Sequence, residues 1–217
     1  MTNQELFSYV DHTLLKPEAT PEQIAALCAE AAEHGTASVC VNGSYVALAK
    51  KLLDGKAKVC AVIGFPLGAM STAAKAFEAA EAIRDGADEI DMVIHIGQLK
   101  AGNTDYVLED IKAVKAAIGD HILKVIIETC LLTEEEKITM CRLVTESGAE
   151  YIKTSTGFST GGATFDDVRL FAEHVGEGVK IKAAGGIRSR EDMEEFLRLG
   201  ASRLGTSSAV KILCGKN

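Results

Sequence analysis

The 217-residue chain has no tryptophan, only three prolines and 5% aromatic residues. No Pro-rich or Ser/Gly-rich stretch interrupts it, so residues 1–217 read as one domain. Basic residues are outnumbered, 23 Lys and Arg against 31 Asp and Glu, for a net charge of −8. A nucleic-acid partner, which demands a broad basic face, is therefore not expected. A local anion site is still open to such a chain, because backbone N–H groups bind phosphate whatever the net charge. Long apolar runs are missing too: none approaches the roughly 18 residues that suggest a membrane span. The opening Met1-Thr2-Asn3-Gln4-Glu5-Leu6 has no basic segment followed by an apolar one. Neither a signal peptide nor a membrane partner is expected.

Metal-binding spacings are also lacking. The six cysteines (Cys28, Cys40, Cys60, Cys130, Cys141, Cys214) contain no CxxC pair. Most lie inside apolar runs and read as free buried thiols in a reducing, cytoplasmic setting. The histidines His12, His34, His95, His121 and His174 are never spaced i, i+4. No dedicated metal site and no cofactor are expected.

What is present is alternation. With 47% hydrophobic residues the chain can bury a large core. β-branched runs at 10–15, 38–41, 58–63, 89–94, 123–128, 151–154, 179–183 and 202–204 read as strands. Ala/Glu/Lys/Leu stretches near 21–33, 44–54, 72–85, 104–118, 133–147, 164–176, 189–199 and 207–213 read as helices. A short helix at 3–9 precedes the first strand. Helix, then Gly, then Ala or Thr, then strand recurs at Gly35, Gly86, Gly148 and Gly200, the pattern of a helix C-cap feeding a tight turn. Strand-helix repetition implies a parallel sheet. Eight repeats predict a compact (β/α)₈ TIM barrel of the α/β class with an extra N-terminal helix.

Successive strand residues face opposite sides, and this parity sorts the polar positions. In Glu89-Ile90-Asp91-Met92-Val93 the apolar Ile90 and Met92 belong to the helix side, so Glu89 and Asp91 point inward. The same rule sends Tyr151 and Lys153, then Lys180 and Lys182, to the interior. Asp11 and Thr13, then Ser38, Cys40 and Asn42, then Lys124 and Glu128 follow them. A buried lysine relieves its desolvation by favouring the neutral amine, which attacks carbonyls. A second cation nearby pushes the same way. Lys153, Lys182 and Asp91 thus suit imine chemistry: one amine forms the imine, the other tunes it and relays protons, and the carboxylate moves protons. A structural ion network is the competing reading. Lys124 and Glu128 are expected either to pair inside the barrel or to support the site, and Cys40 to face the pocket as packing. The polar turns Ala184-Gly185-Gly186-Ile187-Arg188 and Gly205-Thr206-Ser207-Ser208 follow the last two strands, where barrels commonly hold a phosphate. Thr154-Ser155-Thr156-Gly157 adds a third polar loop on the same rim.

Several stretches together resemble the deoxyribose-phosphate aldolase family. They are Glu150-Tyr151-Ile152-Lys153-Thr154-Ser155-Thr156-Gly157-Phe158, Lys182-Ala183-Ala184-Gly185-Gly186-Ile187-Arg188, Gly205-Thr206-Ser207-Ser208 and Asp11-His12-Thr13-Leu14-Leu15-Lys16-Pro17. The segments around Cys40, Gly64, Asp91 and Lys124 share the likeness, which spans nearly the whole chain. The resemblance implies a metal-free class I aldolase acting on 2-deoxy-D-ribose 5-phosphate, D-glyceraldehyde 3-phosphate and acetaldehyde. It implies a homo-oligomer, dimer or tetramer. It places the Schiff base on Lys153, the second lysine at Lys182 and the proton-relay carboxylate at Asp91. Phosphate contacts fall on Gly185, Gly186, Gly205, Ser207 and Ser208, in the turn shared by Ile187 and Arg188. Thr156, Asp11 and Thr13 are further substrate-binding candidates. Two departures stand out. Phe158 occupies the place where some relatives carry a phosphate-holding lysine, which weakens the expected dependence on the 5-phosphate. The tail Cys214-Gly215-Lys216-Asn217 carries no tyrosine, so that residue's contribution is expected to be absent or replaced by water.

Two other functions fit part of the pattern. A sugar-phosphate isomerase on the same barrel would use the turns without an imine lysine. A non-catalytic phosphosugar sensor would tolerate loss of Lys153.

Overall fold

The computed structural model of the chain describes residues 1–215. Lys216 and Asn217, and with them the expectation about the tail, lie outside the described residues. A short helix α1 (Asn3–Phe7) leads into β1 (Val10–Leu14), α2 (Pro21–His34), β2 (Ser38–Asn42), α3 (Val46–Leu53) and β3 (Lys58–Ile63). Then come α4 (Thr72–Arg84), β4 (Glu89–Val93), α5 (Ile96–Lys100), α6 (Thr104–Ile118), β5 (Ile122–Ile126), α7 (Glu134–Ser147) and β6 (Tyr151–Lys153). The chain closes with α8 (Phe165–His174), β7 (Lys180–Ala184), α9 (Arg190–Arg198), β8 (Ala201–Thr206) and α10 (Ala209–Cys214). The eight strands pair in sequence order and β8 returns to β1, so the sheet is a closed parallel barrel ringed by helices. Among the described residues no helix is long and apolar enough to cross a membrane.

Local chemistry sets the boundaries. α2 starts at Pro21 behind a Thr20–Gln23 capping box and ends where Gly35 takes a left-handed conformation. Thr133 and Glu136 make the same box for α7, whose first turn Glu134-Glu135-Glu136 complements the helix dipole.

Parity divides the strands as the sequence predicts, except that Lys180, at the first position of β7, is exposed rather than interior. Val39, Val41, Val59, Ala61, Ile63, Ile90, Met92, Val125, Ile152, Ile181 and Leu204 belong to the main hydrophobic core with the helices. Inside the barrel Leu15, Cys40, Cys60 and Val62 form a small apolar cluster with Phe65 against it, Val93 and Ile126 are buried on the same inward parity, and charged groups lie among them. Period two fails once, at the start of β8: Ile181 pairs with Ala201 but Lys182 pairs with Arg203. This bulge skips Ser202 and leaves both Ala201 and Leu204 in the outer core, with Arg203 turned inward.

Candidate active site

The mouth at the C-terminal ends of the strands is a cavity of about 430 Å³. Lys153 forms part of its wall, with Thr13, Lys16, Thr156, Phe158, Gly186, Arg188, Ser207 and Ser208 among the rim residues. The loops lock together by close backbone approach. A Cβ on Gly162 would lie 2.4 Å from the Gly185 carbonyl carbon, so the loop after β6 fits against the turn after β7 only as glycine. Ala163 N–H donates to the carbonyls of Ala184 and Gly185, both at 3.0 Å. The N–H groups of Gly186, Ile187 and Ser207 find no acceptor among the described residues. They are free to receive an anion.

The loop after β6 is set from the neighbouring strand. Glu128 follows β5 with a left-handed backbone (φ 55°), and its buried carboxylate accepts from Thr156 N–H at 3.1 Å and from the Thr156 hydroxyl. That hydroxyl in turn accepts from Phe158 N–H at 3.0 Å. Phe158 then packs edge-on against Phe65, ring centroids 5.3 Å apart.

Beneath the mouth lies one ionic network. Asp91 Oδ2 accepts from Lys153 at 2.7 Å and Lys182 at 2.6 Å, while its Oδ1 accepts from Lys124 at 2.8 Å and the Cys60 thiol at 3.1 Å. Lys182 also pairs with Asp11. Lys124 pairs with Glu89 at 2.7 Å. Arg203 bridges Asp11 at 2.7 Å and Glu89 at 2.9 Å. Gly205 makes room for Lys182, since a Cβ there would lie 3.1 Å from the lysine Cε. The carboxyls are Asp11, Glu89 and Asp91; the bases are Lys124, Lys153, Lys182 and Arg203; all are buried. Lys153 is the one member on the cavity wall, 3% exposed.

Burial opposes the charge on Asp11, Glu89, Asp91, Lys124, Lys182 and Arg203, and their partners outweigh it. Asp91 is held well below the usual carboxylate range by Lys124, Lys153 and Lys182. Asp11 is lowered by Lys182, Lys124 and Arg203, and Glu89 mainly by Lys124. Lys124 is raised well above an ordinary lysine by Asp91 and its neighbours, and Lys182 is raised by Asp11 and Asp91. In the resting site Asp91 is therefore an anion and Lys182 a cation. The stability consequence has a sign. Depressed carboxyls contribute stability that is present above about pH 4 and lost as pH falls through their folded values. Raised lysines contribute below about pH 10 and lose it above. Urea midpoints are expected to stay level between about pH 5 and 9 and to fall steeply below about pH 4. A midpoint still level at about pH 3 would contradict the network's weight in folding.

Cys40, Cys60 and Asp91 offer ligand atoms within 4.8 Å of one another. Three ammonium groups surround that carboxylate, and the Cys60 thiol is pushed up well above its ordinary value by burial. The donor set suits a lysine cluster rather than a divalent cation.

This arrangement has relatives. The model of the DeoC/LacD family aldolases matches residues 6–217. A deoxyribose-phosphate aldolase of Streptococcus suis (strain 98HAH33) is 59% identical over 212 residues, covering 97% of this chain and 96% of that one. One from Clostridioides difficile (strain 630) is 56% identical over 210 residues, with 97% and 96% covered. The chain belongs to the DeoC/LacD aldolase family. The tetrameric deoxyribose phosphate aldolase of Aeropyrum pernix superposes with a TM-score of 0.89 at 32% identity, covering 99% of this chain and 92% of that one.

Within the family fold, the structure gathers Lys153, Lys182 and Asp91 at one carboxylate. Gly185, Gly186, Gly205, Ser207, Ser208, Thr156 and Thr13 come to the cavity wall. Three expectations need correction. Lys124 and Glu128 do not pair: Lys124 turns down to Glu89 and Asp91, whereas Glu128 turns up to Thr156. Asp11 is not on the wall. Its carboxylate is fully buried, held by Ser38, Arg203 and Lys182. Cys40 sits in the interior cluster beneath the mouth rather than on it. Two network members escaped sequence reasoning. Arg203 was hidden by the bulge, and Glu89, though inward by parity, gave no sign of its partners. Helix α5, where His95 caps the chain through Gln98 N–H at 3.3 Å, was also missed.

Proposed function

We propose that the chain reversibly cleaves 2-deoxy-D-ribose 5-phosphate to D-glyceraldehyde 3-phosphate and acetaldehyde through an imine on Lys153. The observation that carries this reading is the placement of Lys153. It is the one member of the buried ionic network that reaches a sugar-sized cavity, directly above Asp91 and Lys182. The names of relatives above 50% identity support the substrate.

The steps follow from the geometry. The phosphate rests on the free N–H groups after β7 and β8 and on Ser207 and Ser208. Neutral Lys153 attacks the C1 aldehyde, and loss of water leaves a protonated imine. That cation is the electron sink. The C3 hydroxyl gives up its proton, the C2–C3 bond breaks, and glyceraldehyde 3-phosphate leaves. The enamine is protonated at C2, and hydrolysis frees acetaldehyde and the amine. Asp91, beside the imine nitrogen, shuttles the protons through a water and Lys182. Thr156 and Thr13 shape the wall beside the sugar. Asp11 acts from below, by fixing Lys182.

On this reading the chain works as one domain, 1–217, in a reducing cytoplasm, as the free cysteines favour. Assembly into a homo-oligomer is favoured by the tetrameric Aeropyrum pernix relative. The deciding experiment is trapping with acetaldehyde and borohydride followed by peptide mapping. An ethyl group on Lys153 is expected. Label scattered over surface lysines would leave the isomerase or the sensor in its place.

A further inference from the structure

We propose that Lys16 is a further contact for the substrate's phosphate, adding a full positive charge opposite the turn that carries Arg188. The inference rests on the sugar-phosphate reading above and deepens it. A phosphomonoester near neutral pH carries close to two negative charges, and backbone N–H groups offer only partial charge in return. The cations of the barrel interior are spent: Lys124, Lys182 and Arg203 are fully buried or nearly so, and paired with carboxylates. The phosphate end of the cavity needs a cation of its own in a chain with a net charge of −8.

Two side chains on the wall meet that need. Lys16, in the turn after β1, and Arg188, in the turn after β7, both line the cavity and are both exposed. Neither side chain has an ion pair or hydrogen bond among the described residues. Topology puts Lys16 in the right quarter of the mouth. β1 and β8 are neighbours, with His12 in register with Thr206, so the turn carrying Lys16 stands beside the one carrying Ser207 and Ser208. Arg188 approaches from the other flank of β8.

The turn that carries Lys16 is braced. Asn42 Nδ2 donates to the Leu15 carbonyl at 3.2 Å, and the Tyr45 hydroxyl donates to the Ala19 carbonyl at 2.5 Å. Ala19 N–H closes the turn on the Lys16 carbonyl at 3.1 Å, with Pro17 stiffening it between. The lysine backbone is thus fixed at the rim while its ammonium is free to meet an anion. A lysine acts there as a point charge, and Arg188 can add a forked pair of donors. Phe158, packed on Phe65, leaves the opposite wall apolar.

Lys16→Met tests this. Two readouts are needed: steady-state rates on 2-deoxyribose 5-phosphate and on unphosphorylated 2-deoxyribose, and calorimetric titration with inorganic phosphate. The preference for the phosphorylated sugar is expected to fall roughly 10- to 100-fold through KM, the range of one charge-assisted hydrogen bond. Phosphate affinity should fall in parallel, and Lys16→Arg should restore most of both. An equal loss on both sugars, or no loss on either together with unchanged phosphate affinity, overturns the assignment. If the wild-type protein cleaves neither sugar, the aldolase reading fails. The phosphate titration still decides the role of Lys16.

Discussion

Lys153→Ala is expected to lower the cleavage rate of 2-deoxyribose 5-phosphate by at least about 10⁴-fold, equivalent to about 5.4 kcal/mol of barrier. Without the amine there is no imine, hence no electron sink for the C2–C3 bond. The remaining groups can still bind the sugar and shuttle protons, so substrate affinity should change little. The fold should survive, for a reason specific to this barrel. Removing Lys153 leaves Asp91 still paired with Lys124 and Lys182, so no buried carboxylate is stranded. The thermal midpoint should therefore move by no more than a few degrees, the scale of about 1 kcal/mol. Turnover, a melting curve and borohydride trapping on one preparation check all three statements. Residual activity above about 1% would mean that another amine carries the reaction, a loss of under 3 kcal/mol.

Lys182→Leu should act differently, slowing the reaction strongly near neutral pH with partial recovery as pH rises. Lys153 and Lys182 share one oxygen of Asp91, so their ammonium groups stand within two hydrogen-bond lengths of each other. Removing Lys182 takes away a like charge beside the attacking amine, and an amine that keeps its proton is no nucleophile. Loss of the proton relay adds to the defect. Proton transfer of this kind contributes about 10²–10⁴-fold, which sets the expected size at pH 7. A rate that stays near normal would remove Lys182 from the chemistry, and a uniform loss at every pH would keep the relay and remove the tuning. Asp11 also loses a partner, so some instability should accompany the variant.

These expectations show how unevenly a sequence reveals a barrel. The eight strands were legible because each alternates or runs apolar between a helix stop and a polar turn. β3 at Lys58–Ile63 and α6 at Thr104–Ile118 are where composition puts them. The inward face of β4 was legible because Ile90 and Met92 leave Glu89 and Asp91 no other side. Partnership was not legible. Parity says that Lys124 and Glu128 share a face, but β5 ends at Ile126 and the left-handed backbone at Glu128 redirects its carboxylate to Thr156. Parity cannot register that change, because it assumes an extended chain. Arg203 was obscured by the same kind of event, an extra residue in β8. Depth was also hidden. Asp11 and Thr13 lie on one face of one strand, yet only Thr13 reaches the cavity, since two residues of rise separate a wall position from a buried one.

The ionic interior also bears on how such a protein can change over generations. In an aliphatic barrel each layer tolerates swaps one at a time, because a lost methyl group leaves a small void. Here a single neutral replacement of Asp11, Glu89 or Arg203 strands charges on other strands, and breaking a buried pair costs about 3–5 kcal/mol. Replacing an acid and a base together, such as Glu89 with Arg203, removes the mismatch. The interior is therefore inherited as linked blocks, and drift should reach it through paired exchanges while the surrounding helices diverge freely.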